Sequence, residues 1–145
     1  MAFDAFLKIQ GIPGESTDGK HAEWIELISF HHGMAQPSSA QVSARGGITT
    51  GRVDMQDFTV EKALDKASAK LALACCKGEH FTTVSIELCK NSGDKQKYME
   101  YKLSDVVVSS VAPLGVKNDK GETPHENVSF RFGKIEWNYT TLDNT

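Results

Sequence analysis

The chain of 145 residues has no excess of positive charge. Its 16 Lys and Arg stand against 19 Asp and Glu, a formal net charge of -3, the wrong sign for a surface that binds polyanions. No basic stripe with interleaved aromatics occurs, so nucleic acid is not expected as a partner. Long apolar runs are missing as well. Nothing approaches the roughly 18 consecutive apolar residues of a membrane helix, which argues against membrane insertion. The opening MAFDAFLKIQGIPG has no basic lead, and Asp4 interrupts its short apolar run, so no cleavable signal is expected. The expectation is a chain made and folded in the cytoplasm, with any export by a route that needs no signal peptide.

Cysteine is also sparse. Three are present, Cys75, Cys76 and Cys89, and two are adjacent. An odd, clustered set makes a disulfide framework improbable and fits a reducing compartment. The CxxC spacing of a zinc site is missing. Catalytic signatures are missing too: there is no Gly-x-Ser-x-Gly, HExxH or P-loop, and no Gly-x-Gly-x-x-Gly after a strand. Gly46-Gly47 is a poor phosphate cradle without a helix start behind it. No cofactor, no metal and no catalytic residue is expected.

What is there reads as β structure. Phe3 to Ile9 alternates Phe3, Ala5, Leu7 and Ile9 with Asp4, Phe6 and Lys8, the period of a strand. Gly11 to Lys20 carries Gly11, Pro13, Gly14, Ser16, Asp18 and Gly19 and is a loop. Trp24 to His32 predicts one strand, with Ile25, Leu27, Ser29 and His31 on one face and Trp24, Glu26, Ile28, Phe30 and His32 on the other. Gly33 to Gly51, rich in Gly and Ser, is a long loop, and such loops usually have a job; its composition suits an arm lying flat against another surface. Arg52 to Lys62 alternates again, with a slip between Met55 and Phe58 that predicts a bulge or break at Gln56 and Asp57.

One helix follows. The pattern allows a start near Glu61, with Leu64, Ala67, Leu71, Ala74 and Cys75 on one stripe, or a later start capped by Ser68. Lys77 falls in its last turn and Gly78 is its natural terminator. Phe81 to Lys90, with Val84, Ile86 and Leu88 on one face, forms a hairpin with Lys97 to Val111 across Asn91-Ser92-Gly93-Asp94. Glu87, Lys90, Lys95, Lys97, Glu100 and Lys102 read as a solvated hairpin face or as salt bridges at subunit contacts. Ala112 to Asn127 is a second loop, and Val128 to Thr141 a last strand with a possible bulge at Gly133. The sum is a mainly β, two-sheet barrel or sandwich with one short helix and a long extended loop, in one domain spanning 1–145.

Across nearly the whole chain these residues resemble the Hcp (hemolysin-coregulated protein) family of type VI secretion tube proteins. The resemblance rests on Asp4-x-Phe6-x-Lys8-Ile9, Gly14-Glu15-Ser16, His21-Ala22-Glu23, Ser29-Phe30 with Gly33, and Val53-x-x-Gln56-Asp57. It continues through Asp65-Lys66-Ala67-Ser68-x-x-Leu71 with Gly78, which favours the later helix start. Leu103-x-x-Val106-x-Val108-Ser109-Ser110-Val111 and Glu126-Asn127-Val128-Ser129 with Tyr139 complete it. It implies a phage tail-tube-like barrel in homohexameric rings, stacked into an inner tube. A contractile sheath propels that tube behind a spike protein, with effector proteins in its lumen. It further implies that Ser29 and His31 face the lumen. The arm, with Ala44, Arg45, Gly46, Gly47, Ile48, Thr49 and Thr50, would reach the next ring. Ending at Thr145, the chain is not expected to carry the toxin extension of some relatives.

His31-His32 departs from the family, where aromatic or small polar residues are usual. Adjacent strand residues face opposite ways and cannot converge on one ion, so both are read as surface imidazoles and not as a metal or acid/base pair. His21, His80 and His125 sit in or beside turns and are expected to be solvated. The rival to a tube subunit is a stand-alone small-ligand barrel or barrel enzyme, which requires an enclosed apolar cavity with convergent polar groups.

Overall fold

Alternating apolar residues need a second apolar surface to cover them, and this chain supplies it by curling one sheet on itself. The computed structural model describes residues 2–39 and 48–142. Its long strands are β1 (Phe3–Ile9), β8 (Phe58–Ala63), β9 (His80–Lys90), β10 (Lys97–Leu114) and β11 (His125–Tyr139). Two short strands, β2 (Ile25–Leu27) and β3 (Ser29–His31), complete a seven-stranded sheet in the order β2-β1-β9-β10-β11-β8-β3. Every pairing is antiparallel. The two edge strands are consecutive in the chain, joined at Ile28, whose N–H donates to the Glu61 carbonyl at 2.7 Å. The sheet therefore nearly closes into a barrel, which leaves little free edge.

The break at Ile28 corrects the expectation of a single strand from Trp24 to His32. Ile25 is fully buried and Leu27 packs on the core, but beyond the break it is Phe30 and His32 that turn inward, while Ser29 and His31 are exposed. The inward parity thus changes at Ile28, which is 48% exposed. Within the barrel lie Leu7, Ile25, Phe58, Val60, Val84, Ile86, Leu103, Val106, Val128 and Phe130, each buried. Burial of each such side chain contributes about 1.5–3 kcal/mol.

Helix α1 (Ser68–Lys77) packs on β10 through Leu71 and Ala74. The early start is excluded, because Glu61 lies in β8 and Leu64 is exposed. Ser68 is the first helical residue and not the cap: Ala67 occupies that position without a side-chain bond. The Ser68 hydroxyl instead donates to Glu126, while Asp65 Oδ1 accepts from the Ala67 N–H at 2.9 Å. Gly78 ends the helix at φ 63°, and its N–H bonds back to the last turn, as a left-handed terminator does.

Three further differences are local. The Gly33 to Gly51 segment, expected as one long loop, contains short strands among its described residues. Strands β4 (Met34–Ala35) and β7 (Asp54–Met55) pair, as do β5 (Ser38–Ser39) and β6 (Thr49–Thr50), to make a narrow hairpin. The second loop is shorter than expected, since β10 runs to Leu114 and β11 begins at His125. No bulge falls at Gly133, where Ser104 opposite Lys134 and Val106 opposite Phe132 keep one register; the shift comes between Val108 and Ser110. A Cβ at Gly133 would lie 3.2 Å from Asp105 Oδ2 and 3.3 Å from its Cβ, a tight approach to which Asp105 would have to yield. The break at Gln56 and Asp57 between β7 and β8 is where the slipped alternation places it.

Candidate assembly surfaces

Two surfaces gather the residues that the sequence singles out. The first is the outer face of β3, β8 and β11. Register places Ser29 opposite Glu61 and Glu61 opposite Asn127, and then His31 opposite Thr59 and Thr59 opposite Ser129. Alternation sends the intervening Phe30, Val60 and Val128 inward, so two polar rows cross three strands on the outside. They are tied laterally: the Ser29 hydroxyl donates to Glu61 Oε1 at 3.1 Å, and the Thr59 and Ser129 hydroxyls share a bond of 2.8 Å. Ser29 and His31 are exposed in this row. Thr59, Glu61, Asn127 and Ser129 were not picked out from sequence, because their membership depends on register between distant strands. The alternation of β8 and β11 was the available signal.

The second surface is the hairpin arm. Its root is held by the Gln56 N–H donating to the Gly33 carbonyl at 3.0 Å, and its shaft by the Gly51 N–H, which meets Pro37 O at 3.0 Å and Gln36 Oε1 at 2.8 Å. Met34, Ile48, Val53 and Met55 project from it with 37–70% of their surface exposed. Among the expected stacking residues, Ile48 and the backbones of Thr49 and Thr50 are described; Ala44, Arg45, Gly46 and Gly47 lie outside the described residues. Asp57 locks the arm to the barrel. Its carboxylate accepts from the Ser109 hydroxyl at 2.6 Å, at the β10 register shift, and from Arg131 Nε at 3.3 Å.

The remaining histidines divide. His80 and His125 reach Asp105 and Glu61 at a partly exposed surface. His21 is not solvated as expected: it is 3% exposed, stacked on Phe6 and bonded to Asp18 and Glu87. Charges on the β9–β10 hairpin pair within the chain, Lys97 with Glu87 and Glu100, and Lys95 with Asp4 and Asp18. The hollow with the most apolar lining lies beside α1, between Leu64, Ala72, Cys75, Val111 and Pro113, and it is open to solvent. No helix among the described residues is long and apolar enough to cross a membrane.

The described residues form a nearly closed antiparallel barrel with one packed helix and a hairpin arm. A baseplate structure of the anti-feeding prophage shares the fold at 9% identity, with a TM-score of 0.61 over 97% of this chain and 94% of that one. The chain belongs to the Hcp family of the type VI secretion system: the family model described as "Type VI secretion system effector, Hcp" matches residues 6–139. Protein hcp1 of Pseudomonas aeruginosa is 35% identical over 140 residues, 96% of this chain and 84% of the relative. A solved type six secretion system protein superposes with a TM-score of 0.92 at 36% identity, over 99% of this chain and 87% of its own. Hcp1 from Salmonella typhimurium does so at 0.78 with 27% identity, over 97% and 88%.

Proposed function

We propose that this chain is a structural subunit of the type VI inner tube, acting as one tube domain over 1–145. It assembles as homohexameric rings that stack, is held in the cytoplasm until firing, and is exported inside the sheath behind the spike. It is not an enzyme. The observation that carries this reading is the hairpin arm, which leaves the barrel with Met34, Ile48, Val53 and Met55 uncovered. Exposed apolar side chains gathered on one projecting segment serve a lone soluble molecule poorly and fit a contact surface. Head-to-tail contacts repeated around a ring close it when the rotation divides the circle. The polar rows around Ser29 and His31 then line the channel, where hydroxyls, carboxylates and imidazole hold cargo weakly and release it. The rival small-ligand barrel needs an enclosed apolar cavity, whereas the apolar hollow beside α1 opens to solvent.

Two variants test the reading. Deleting Ala44 to Thr50 leaves ring mass intact, by light scattering and negative-stain images, and abolishes tubes and secretion; unchanged tubes refute the role of the arm. His31→Gln alters effector retention at constant ring mass, whereas loss of the ring shows that His31 is an interface residue. A chain that stays monomeric at high concentration refutes the tube itself.

A further inference from the structure

The loop between β1 and β2 folds back over the outer face of β1. It does so because Gly14 allows two backbones to touch: a Cβ there would meet Trp24 O at 2.4 Å and Ile25 Cα at 2.6 Å. This return carries the His21 ring onto Phe6, with centroids 4.2 Å apart and planes 4° from parallel, and under the edge of Trp24 at 4.7 Å. The ring is thus fixed from both sides. Behind it, Asp18 Oδ2 lies 2.7 Å from Nδ1, the partner that keeps the proton on that nitrogen and aims the other one forward.

Forward lies β9. Residues two apart on a strand share a face, so Glu87 and Cys89 both point at the imidazole while Leu88 turns into the core. His21 Nε2 is 2.8 Å from Glu87 Oε1 and 3.8 Å from Cys89 Sγ. The three ligand atoms all lie within 4.8 Å of one another. Cys89 is fully buried beneath the returned loop, and Glu87 keeps a narrow exposure as the way in. With Nδ1 bonded to Asp18, Nε2 shares a proton with Glu87 Oε1, and that proton occupies the place a cation held by the three ligand atoms would take.

We propose that His21 Nε2, Glu87 Oε1 and Cys89 Sγ form a binding site for one divalent cation of the zinc class, with Asp18 as the carboxylate behind the imidazole. Nitrogen, oxygen and thiolate sulfur together match the borderline-soft preference of Zn²⁺, whose bonds of about 2.0–2.3 Å need the His–Glu gap to open by about half an ångström. Binding exchanges protons for metal: the Cys89 thiol loses its proton to solvent as the Zn–S bond forms, and any proton on Nε2 leaves likewise. Burial, and then the charges of Glu87, Asp18 and Asp4, push the Cys89 thiol up to about 11. That anionic surrounding is one a dication neutralises, and a coordinated thiol is deprotonated. Lys97, 3.7 Å from the other Glu87 oxygen, and Lys95, 3.3 Å from Asp18, are the cations already facing the cluster. The site would clamp the β1–β2 loop to β9, and it rests on side chains of a single subunit, independent of the tube reading.

The test uses the full chain, reduced, stripped of metal and carrying Cys75→Ser and Cys76→Ser, so that Cys89 is its sole thiol. Titration with Co²⁺ should reach one equivalent with a thiolate-to-cobalt band in the near ultraviolet, which Zn²⁺ then removes. Cys89→Ala should abolish the band, and Glu87→Gln, which keeps a hydrogen-bonding side chain and so protects the fold, should weaken Co²⁺ binding at least about tenfold. Asp18→Asn should cost about 10–100-fold. Absence of the band in the starting protein, or unchanged affinity in Glu87→Gln, overturns the site and leaves a proton between His21 and Glu87.

Discussion

The two ends of β8 differ in how their needs are met. At its C-terminal end, Lys62 is fully buried, yet its ammonium lies 2.6 Å from Glu126, 2.9 Å from Asp65 and 3.0 Å from the Ala63 carbonyl. Ser68 completes the group by bonding both Lys62 and Glu126, so the start of α1 is tied to β11 through β8. Before its N-terminal end the hairpin arm has almost the opposite character, with exposed methionines and few tertiary bonds beyond its root. One end is satisfied within the chain. The other leaves its apolar side chains exposed, and on the proposed tube reading this contrast separates what makes the subunit fold from what would make it assemble.

The contrast breaks most readily at Lys62. Lys62→Met strands Glu126 without its counter-charge in a dry site, and removal of one partner from a buried pair costs about 3–5 kcal/mol. Urea unfolding should show that loss. Lys62→Met combined with Glu126→Met should recover most of it, because replacing both charges with packed apolar groups is often neutral. A single variant within about 0.5 kcal/mol of the parent would mean that the network is not holding α1.

Asp57 stands where the two regions meet, and the expected effect is smaller. Asp57→Ala removes a carboxylate that holds Ser109 and Arg131. Hydrogen bonds to a charged group are worth about 1.5–3 kcal/mol, less with partial exposure, so a loss of about 1–2 kcal/mol is expected. Hydrogen exchange should locate the loosening at the arm root and the β10 register shift, with the amides of α1 unaffected. Uniform loosening across the barrel would show that arm and barrel are one cooperative unit.

Much of the barrel was legible because its strands obey short rules. In β1 and in the 84–88 stretch of β9 every second residue is apolar, and Gly93 at φ 66° and Gly78 at φ 63° sit where turn and cap need positive φ. The misreadings share one cause, which is dependence on distant partners. His21 reads as a turn histidine because Phe6 and Glu87, which bury it, are 15 and 66 residues away. The parity change at Ile28 is invisible because both faces of that stretch carry apolar residues, and only barrel closure requires the bend. Ser68 has the right chemistry for a cap, but Glu126 claims its hydroxyl. On the outer face of β3, β8 and β11, Ser29 and His31 can be singled out from their own strand, whereas joining them to Thr59, Glu61, Asn127 and Ser129 needs the register.

The smallest expected effect sharpens the comparison at the arm root, where His32 is half buried beside Gly33. Its ring lies 5.3 Å from that of Phe58 and 5.8 Å from that of Phe132, and neither buried ring nitrogen has a hydrogen-bond partner. Burial holds its pKa below the ordinary 6.5, against the opposing pull of the Gln56 backbone and with the charge of neighbouring His31 acting the same way as burial. The folded chain therefore binds fewer protons here than the unfolded chain. Stability from this group is complete above about pH 6.5 and is lost as pH falls through that value, until the folded ring is protonated as well. Asp18, held low chiefly by its bond to His21, contributes a similar loss on acidification, but in the carboxylate range near and below 3.8. The two windows are separate. His32→Phe keeps the aromatic stack and removes the proton, so its thermal midpoint should change less than the parent's between about pH 7 and about pH 5. If the two profiles run parallel, the acid sensitivity of the arm root lies elsewhere, and the Phe58–Phe132 stack is indifferent to charge at its edge.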